Sequence, residues 1–78
     1  NGEYEVIEAE IIETSELINQ SLKDSNLPDE IRVGAVLRNA KVIIPRSDFV
    51  FKKKDTVVFL AKKDAISIVE NLFRISSI

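Results

Sequence analysis

The chain has 78 residues, 45% of them hydrophobic and 6% aromatic, which suffices for a single hydrophobic core and leaves no room for an active-site cleft between domains. It contains no Cys and no His, so thiolate chemistry, imidazole general-base catalysis and disulfide staples are excluded, and a transition-metal site lacks its usual ligands. A net charge of −2 argues against a nucleic-acid binder, which needs a surplus of Lys and Arg to neutralise phosphates.

No apolar run is long enough to cross a bilayer, and no basic start leads into a signal-type apolar segment. The expectation is a soluble, cytoplasmic module. Its first residue, Asn1, and the absence of any Met lead to the expectation that it is a fragment of a longer chain. A domain this small buries a modest fraction of its surface, and without staples or metals self-association is the remaining reinforcement.

From Tyr4 to Ile12, Ile7, Ala9 and Ile11 alternate with Glu8 and Glu10, the period of a half-buried strand. Between Thr14 and Asn26 the period changes. Leu17, Ile18 and Leu22 fall at helical spacing, Thr14 or Ser15 can cap, and Leu27-Pro28 stops the run, which predicts a helix, in one piece or in two around Asn19 to Ser21. Ile31, Val33, Ala35 and Leu37 alternate with Arg32, Gly34, Val36 and Arg38, and Asn39-Ala40 separates them from Lys41-Val42-Ile43-Ile44. This is a tight hairpin, with Asn39 suited to a left-handed turn conformation. Pro45 ends the third strand and Arg46-Ser47-Asp48 reads as a turn. Thr56 to Leu60 is a continuous strand of a central or doubly buried kind. From Asp64, a plausible N-cap, residues 65, 68, 69, 72 and 73 trace one face of an amphipathic helix. The fold class that follows is α+β: a β-α-β-β-β-α two-layer sandwich, its mainly antiparallel sheet covered by two helices.

The charges are segregated. Glu3, Glu5, Glu8, Glu10, Glu13 and Glu16 occupy the first sixteen positions with no basic residue among them. Glu8 and Glu10, about 7 Å apart on one strand face, are a weak candidate for a hard-cation site; the competing reading is a solvated face that protects an edge. Nine basic residues lie between positions 32 and 63 against only Asp48 and Asp55. Arg32 and Arg38 share a strand face in this reading, and Arg38 and Arg46 flank an apolar floor of Val42, Ile43 and Ile44. Guanidinium groups beside such a floor suit a phosphate or carboxylate with a flat base stacked on Ile43, Ile44 and Pro45. The alternative pairs Arg46 with Asp48 or with a glutamate of a second copy. Lys52-Lys53-Lys54 reads as a solvated turn before a membrane-surface patch. Ser47 has no residue to activate it, and Asp48 is expected to accept turn N–H bonds. The helix face of Ile66, Val69, Leu72, Phe73 and Ile75 is wide enough for a dimer contact besides the core.

Several of these residues carry a family likeness. Leu27-Pro28, Ile31-x-x-Gly34-Ala35-Val36-x-Arg38, Val42-Ile43-Ile44-Pro45-Arg46-x-Asp48, Asp55-Thr56-Val57-Val58 and the closing Val69-x-x-Leu72-Phe73 resemble the TrkA-C (RCK-C) domain of the peripheral subunit of Trk-type potassium uptake systems. The resemblance covers nearly the whole chain, and residues 1–78 are taken as one TrkA-C-like regulatory domain. Ser47 and Lys54 stand where that family usually has glycine. The resemblance implies a cytoplasmic regulatory or ligand-sensing domain, not an enzyme, that controls potassium uptake through rearrangement of a homodimer. It also implies a preceding Rossmann-like domain, which would carry any NAD(H) or ATP, and a membrane-embedded potassium transporter subunit as partner, giving a peripheral membrane association. Some members bind cyclic di-AMP at the dimer interface, which makes Arg38, Ile43, Ile44, Pro45 and Arg46 the candidate ligand residues. The alternative is a ligand-free structural dimerisation module of a transporter-associated protein.

Overall fold

In the computed structural model, which describes residues 3–73, the alternating segments join into one four-stranded antiparallel sheet. Its strands are β1 (Tyr4–Glu10), β2 (Ile31–Arg38), β3 (Lys41–Ile43) and β4 (Thr56–Lys62), in the spatial order β1-β4-β2-β3. The most apolar strand is thus central, as its composition requires, with β1 registered Tyr4 to Lys62 through Glu10 to Thr56 along one side and β2 along the other. Only one face is covered. Val57, Phe59 and Ala61 of β4 point into the core with Ala9 and Ile11, whereas Leu60 on the opposite face remains exposed.

An expectation about β2 fails in a physically informative way. The register pairs Val33 with Phe59 but Ala35 with Val58, so β2 carries an extra residue at Gly34. Such a bulge shifts the side-chain alternation by one. Val36 is therefore the fully buried residue and Leu37 faces out. Arg32, paired with Leu60, lies on the outer face, while Arg38 follows Val36 onto the core side. The two arginines do not share a face.

The predicted first helix does not form. Asn19 takes φ 65°, which ends any right-handed run, and the Ser15 Oγ accepts the Leu17 N–H at 3.1 Å, a local bond that competes with helix. The backbone of this segment instead pairs with residues 47–51. Asn19 N–H donates to the Phe51 carbonyl at 2.9 Å, Phe51 N–H to Gln20 at 3.0 Å, Leu22 N–H to Phe49 at 2.8 Å and Lys23 N–H to Ser47 at 2.9 Å. The result is a series of turns and a short 3-10 helix, Lys23–Ser25. Leu17 is buried and Ile18 and Leu22 pack against the core, so the apolar spacing was meaningful although the helix was not.

The closing helix, α1 (Ile66–Phe73), forms as expected behind a 3-10 turn, Lys63–Ala65; Lys62 holds the N-cap position of that turn, without a side-chain cap hydrogen bond, so Asp64 is not the N-cap. Val69 and Phe73 are buried, and the Phe73 ring stacks on Phe59 of β4 at 5.2 Å with 13° between planes. Ile75 of the proposed dimer face lies outside the described residues. The Ser15 hydroxyl donates to the Leu72 carbonyl at 3.0 Å, tying the turn segment to the end of α1.

The β2–β3 hairpin turns through Asn39 at φ 53° and Ala40 at φ 66°, a pair of left-handed residues of the kind that matches strand twist. Asn39 was expected there. Ala40 carries a Cβ into a conformation that costs about 1–2 kcal/mol. Ala40→Gly should therefore raise stability, by about 0.5–1 kcal/mol after the greater chain entropy of glycine is set against the relief. A urea titration measures this, and a lower midpoint for the variant would contradict the turn assignment.

Candidate functional site

The bulge at Gly34 has its main consequence four residues later, because it turns Arg38 toward Asp55. Asp55 sits at the start of β4 and is 1% exposed. Its carboxylate accepts from Arg38 Nε at 2.8 Å through Oδ1 and from Arg38 Nη2 at 2.7 Å through Oδ2. Oδ2 also accepts the Lys52 N–H at 2.9 Å. Arg38 Nη2 donates to the Val50 carbonyl at 2.9 Å, and the guanidinium lies 4.8 Å from the Phe49 ring centre. One bidentate pair thus ties the end of β2 to the start of β4 and to both ends of the segment Phe49 to Lys52. The hydrogen bonds that Arg38 donates to Asp55 raise the Arg38 pKa above its ordinary value, with partial desolvation opposing them and the Asp55 charge adding to them. A raised arginine pKa stabilises the fold at every pH below the unfolded-state value, and is lost only above it. The Arg38 contribution is therefore constant through neutral pH.

The other candidate ligand residues do not form a single floor. Strand alternation turns Ile43 inward and half-buries it, and leaves Val42 68% and Ile44 71% exposed. Pro45 is half-buried and Arg46 fully on the surface, in a turn closed by the Phe49 N–H donating to the Arg46 carbonyl at 3.0 Å. Among the described residues Arg46 makes no ion pair with Asp48, and Asp48 accepts no turn N–H. Arg38 is not free to reach for a ligand with its whole fork. Nε and Nη2 are engaged, the side chain is 31% exposed, and among the described residues no hydrogen bond involves Nη1.

Two residues that carry this geometry were not singled out as site residues, Asp55 and Phe49. The available signal was an acid directly before the most apolar strand, where an unpaired charge is costly. Lys54 takes φ 78°, so the position where the resembled family has glycine does adopt the left-handed region, whereas Ser47 is not among the positive-φ residues. Glu8 and Glu10 are exposed on β1, and among the described residues no group of three or more acidic, His or Cys side chains gathers. Lys53 and Lys54 are solvated, and the Lys52 ammonium donates to Asn19 Oδ1 at 3.3 Å.

Comparison with known proteins agrees with this architecture. The profile of the TrkA-C domain matches residues 6–74. The chain is 46% identical over 76 residues to the Trk system potassium uptake protein TrkA of Azorhizobium caulinodans, covering 97% of this chain and 17% of that protein. It is 33% identical over 64 residues to a TrkA homolog of Archaeoglobus fulgidus, covering 82% and 15%. The chain therefore spans less than a fifth of the length of the curated relatives it matches. Among solved structures, the RCK_C domain dimer of Streptococcus agalactiae BusR in complex with c-di-AMP superposes with TM-score 0.79 at 20% identity, over 91% of this chain and 97% of that one. The RCK C domain of the potassium transport protein KtrA in complex with c-di-AMP does so with TM-score 0.74 at 18% identity, over 86% and 80%.

The clamp makes a stability prediction. Arg38→Leu strands the buried Asp55 carboxylate with one backbone donor and should cost about 3–5 kcal/mol. Asp55→Asn keeps an acceptor for Lys52 and should cost less, about 1–3 kcal/mol. Denaturant melts order the two, and an Arg38→Leu variant within about 1 kcal/mol of the parent would show that the pair does not hold the loop.

Proposed function

The chain belongs to the TrkA-C domain family, and from that premise we propose that it is the non-catalytic regulatory module of a potassium-uptake system, sensing a cyclic dinucleotide at a two-fold interface. The observation that carries the reading is the solvent-facing turn after β3, where exposed Ile44 and Arg46 flank half-buried Pro45. A flat base needs apolar surface and a phosphate needs cations held in position. Ile44 and Pro45 supply the first. Arg46 supplies the second. Two solved structures of the same fold are complexes with c-di-AMP, and one of them is a dimer, which supports a ligand whose two halves each meet one copy of the turn.

Regulation then follows from linkage. A ligand shared between two copies favours the arrangement in which both turns reach it, and it shifts the equilibrium only by its difference in affinity for the two arrangements. In the longer protein of which this domain would be the C-terminal part, that shift would pass through a nucleotide-binding Rossmann-like domain to a membrane-embedded potassium transporter subunit. No helix among the described residues is long and apolar enough to cross a membrane, and the association with the membrane in this proposal is through that subunit. The names of the curated relatives support the potassium system.

Calorimetric titration with cyclic di-AMP, with ATP as control, tests the ligand. Binding is expected to weaken with added salt, Arg46→Ala to lower affinity about tenfold, the loss of one charged hydrogen bond, and Lys53→Ala to change it by less than about twofold. No heat and no melting shift at millimolar cyclic di-AMP would overturn the sensing role and leave the domain as a ligand-free dimerisation module.

A further inference from the structure

Two polar side chains are buried among the described residues, Asp55 and Ser15. Asp55 is answered by Arg38. The Ser15 hydroxyl works in two directions: it accepts the Leu17 N–H at 3.1 Å and donates to the Leu72 carbonyl at 3.0 Å, 57 positions along the chain. A serine that only shapes its own turn needs the first of these bonds and not the second. The second meets a carbonyl in the last turn of α1, where the eight residues of the helix contain no N–H four positions on to satisfy it. Ser15 thus caps the C-terminal end of α1 from a distant part of the sequence.

The same segment is bonded to the loop that follows the candidate ligand turn. The Asn19, Leu22 and Lys23 N–H groups donate to the Phe51, Phe49 and Ser47 carbonyls, the Phe51 N–H returns to Gln20, and Ser21 and Val50 form a β-bridge between them. This ladder runs antiparallel from Asn19 and Phe51 to Lys23 and Ser47. Ser15 lies beyond one end of it in sequence register and Arg46 beyond the other, where the Phe49 N–H closes the turn on the Arg46 carbonyl. Among the described residues, the bond from Ser15 to Leu72 is the one hydrogen bond that joins the ladder to α1.

We propose that Ser15 couples the Arg46 turn to the C-terminal end of α1, so that a ligand held at the turn is read out as order in the last turn of the helix. For its ligand the inference rests on the sensing role proposed above; the tie between ladder and helix stands without one. Backbone-paired residues open and close together, so a shift of the ladder carries Ser15 with it. A hydroxyl bond of 3.0 Å is lost once it lengthens past about 3.5 Å. A helix of eight residues does not hold itself together in water and depends on its tertiary contacts. Val69 and Phe73 fix the face of α1 that meets the core, and the end carbonyls are the part left to adjust. The coupling is reciprocal: whatever fixes the turn favours the capped helix end, and the capped end favours the turn.

Amide hydrogen exchange of the 78-residue chain tests the coupling, with Leu72 and Phe73 reporting the helix end, Phe49 and Phe51 the ladder, and Phe59 of β4 the whole fold. In the ligand-free parent at low urea, the helix-end and ladder amides are expected to open with one common urea dependence, shallower than that of Phe59. Saturating cyclic di-AMP is expected to slow both groups about fivefold, the ratio set by one neutral hydrogen bond. In Ser15→Ala, shown to be folded by circular dichroism, the ligand should still slow the ladder but change the helix end by less than about twofold. Ladder amides that slow in the parent while the helix end does not would overturn the coupling and leave the ligand site standing. Slowing of the helix end that persists in Ser15→Ala would overturn Ser15 as the link. If cyclic di-AMP slows no amide, the ligand reading fails, and the urea comparison decides the coupling by itself, as it does if Ser15→Ala does not fold: a shared dependence sustains it and separate dependences overturn it.

Discussion

Asp55 is a carboxylate withdrawn from water at the point where the chain enters its central strand, and the rest of the molecule is arranged so that this charge is answered. Arg38 reaches it from the far end of β2 with two parallel hydrogen bonds, and the Lys52 N–H supplies a third. A buried ion pair of this kind adds little net stability compared with a well-packed apolar pair. Its contribution here is positional. The same guanidinium holds the Val50 carbonyl and lies against Phe49, and Phe49 in turn bonds through its backbone to Leu22 and to Arg46. The loop that bears Pro45 and Arg46 and the turn segment from Ser15 to Ser25 are both anchored through one charge pair.

That anchoring separates two jobs that the arginines of this chain seemed at first to share. Arg38 is fixed inside the fold and presents at most one nitrogen outward, so it organises more than it contacts. Arg46 stands in solvent beside Ile44 and Pro45, on a turn whose position is set by the clamp. In the proposed sensing role, a turn backbone that is fixed before a ligand arrives loses little conformational entropy on binding. The proposed sensing role draws on that preorganisation.

The sheet divides the domain in a second sense. Its inner face supplies the core, with Phe59 stacked on Phe73 and Ile11, Leu17, Val36 and Phe51 fully buried. Its outer face keeps several aliphatic side chains in water. For a chain of 78 residues without cysteine, a core on one side alone yields limited stability.

Much of this was legible in the sequence because it is locally encoded. Alternation over Tyr4 to Ile12, the apolar run of Thr56 to Leu60, the helical spacing of Ala65 to Phe73 and the Asn39 turn each depend on side chains a few residues apart, and each element formed there, the first strand ending two residues early at Glu10 and the helix starting at Ile66. Of the candidate site, the types and neighbourhood of Ile44, Pro45 and Arg46 were visible for the same reason. Three features were decided only by the tertiary structure. Whether residues 14–26 wind into a helix depended on the offer of backbone partners from residues 47–51, which satisfied the same N–H groups across the chain. The face on which Arg38 lies depended on one extra residue at Gly34, inserted against β4 and not marked by any local period. The partner of Arg38 was Asp55, 17 positions away. In all three cases hydrogen-bonding groups had two ways of being satisfied, a local one and a distant one. The distant one prevailed because it alone also buried Leu17, Val36 and Phe51 against the central strand.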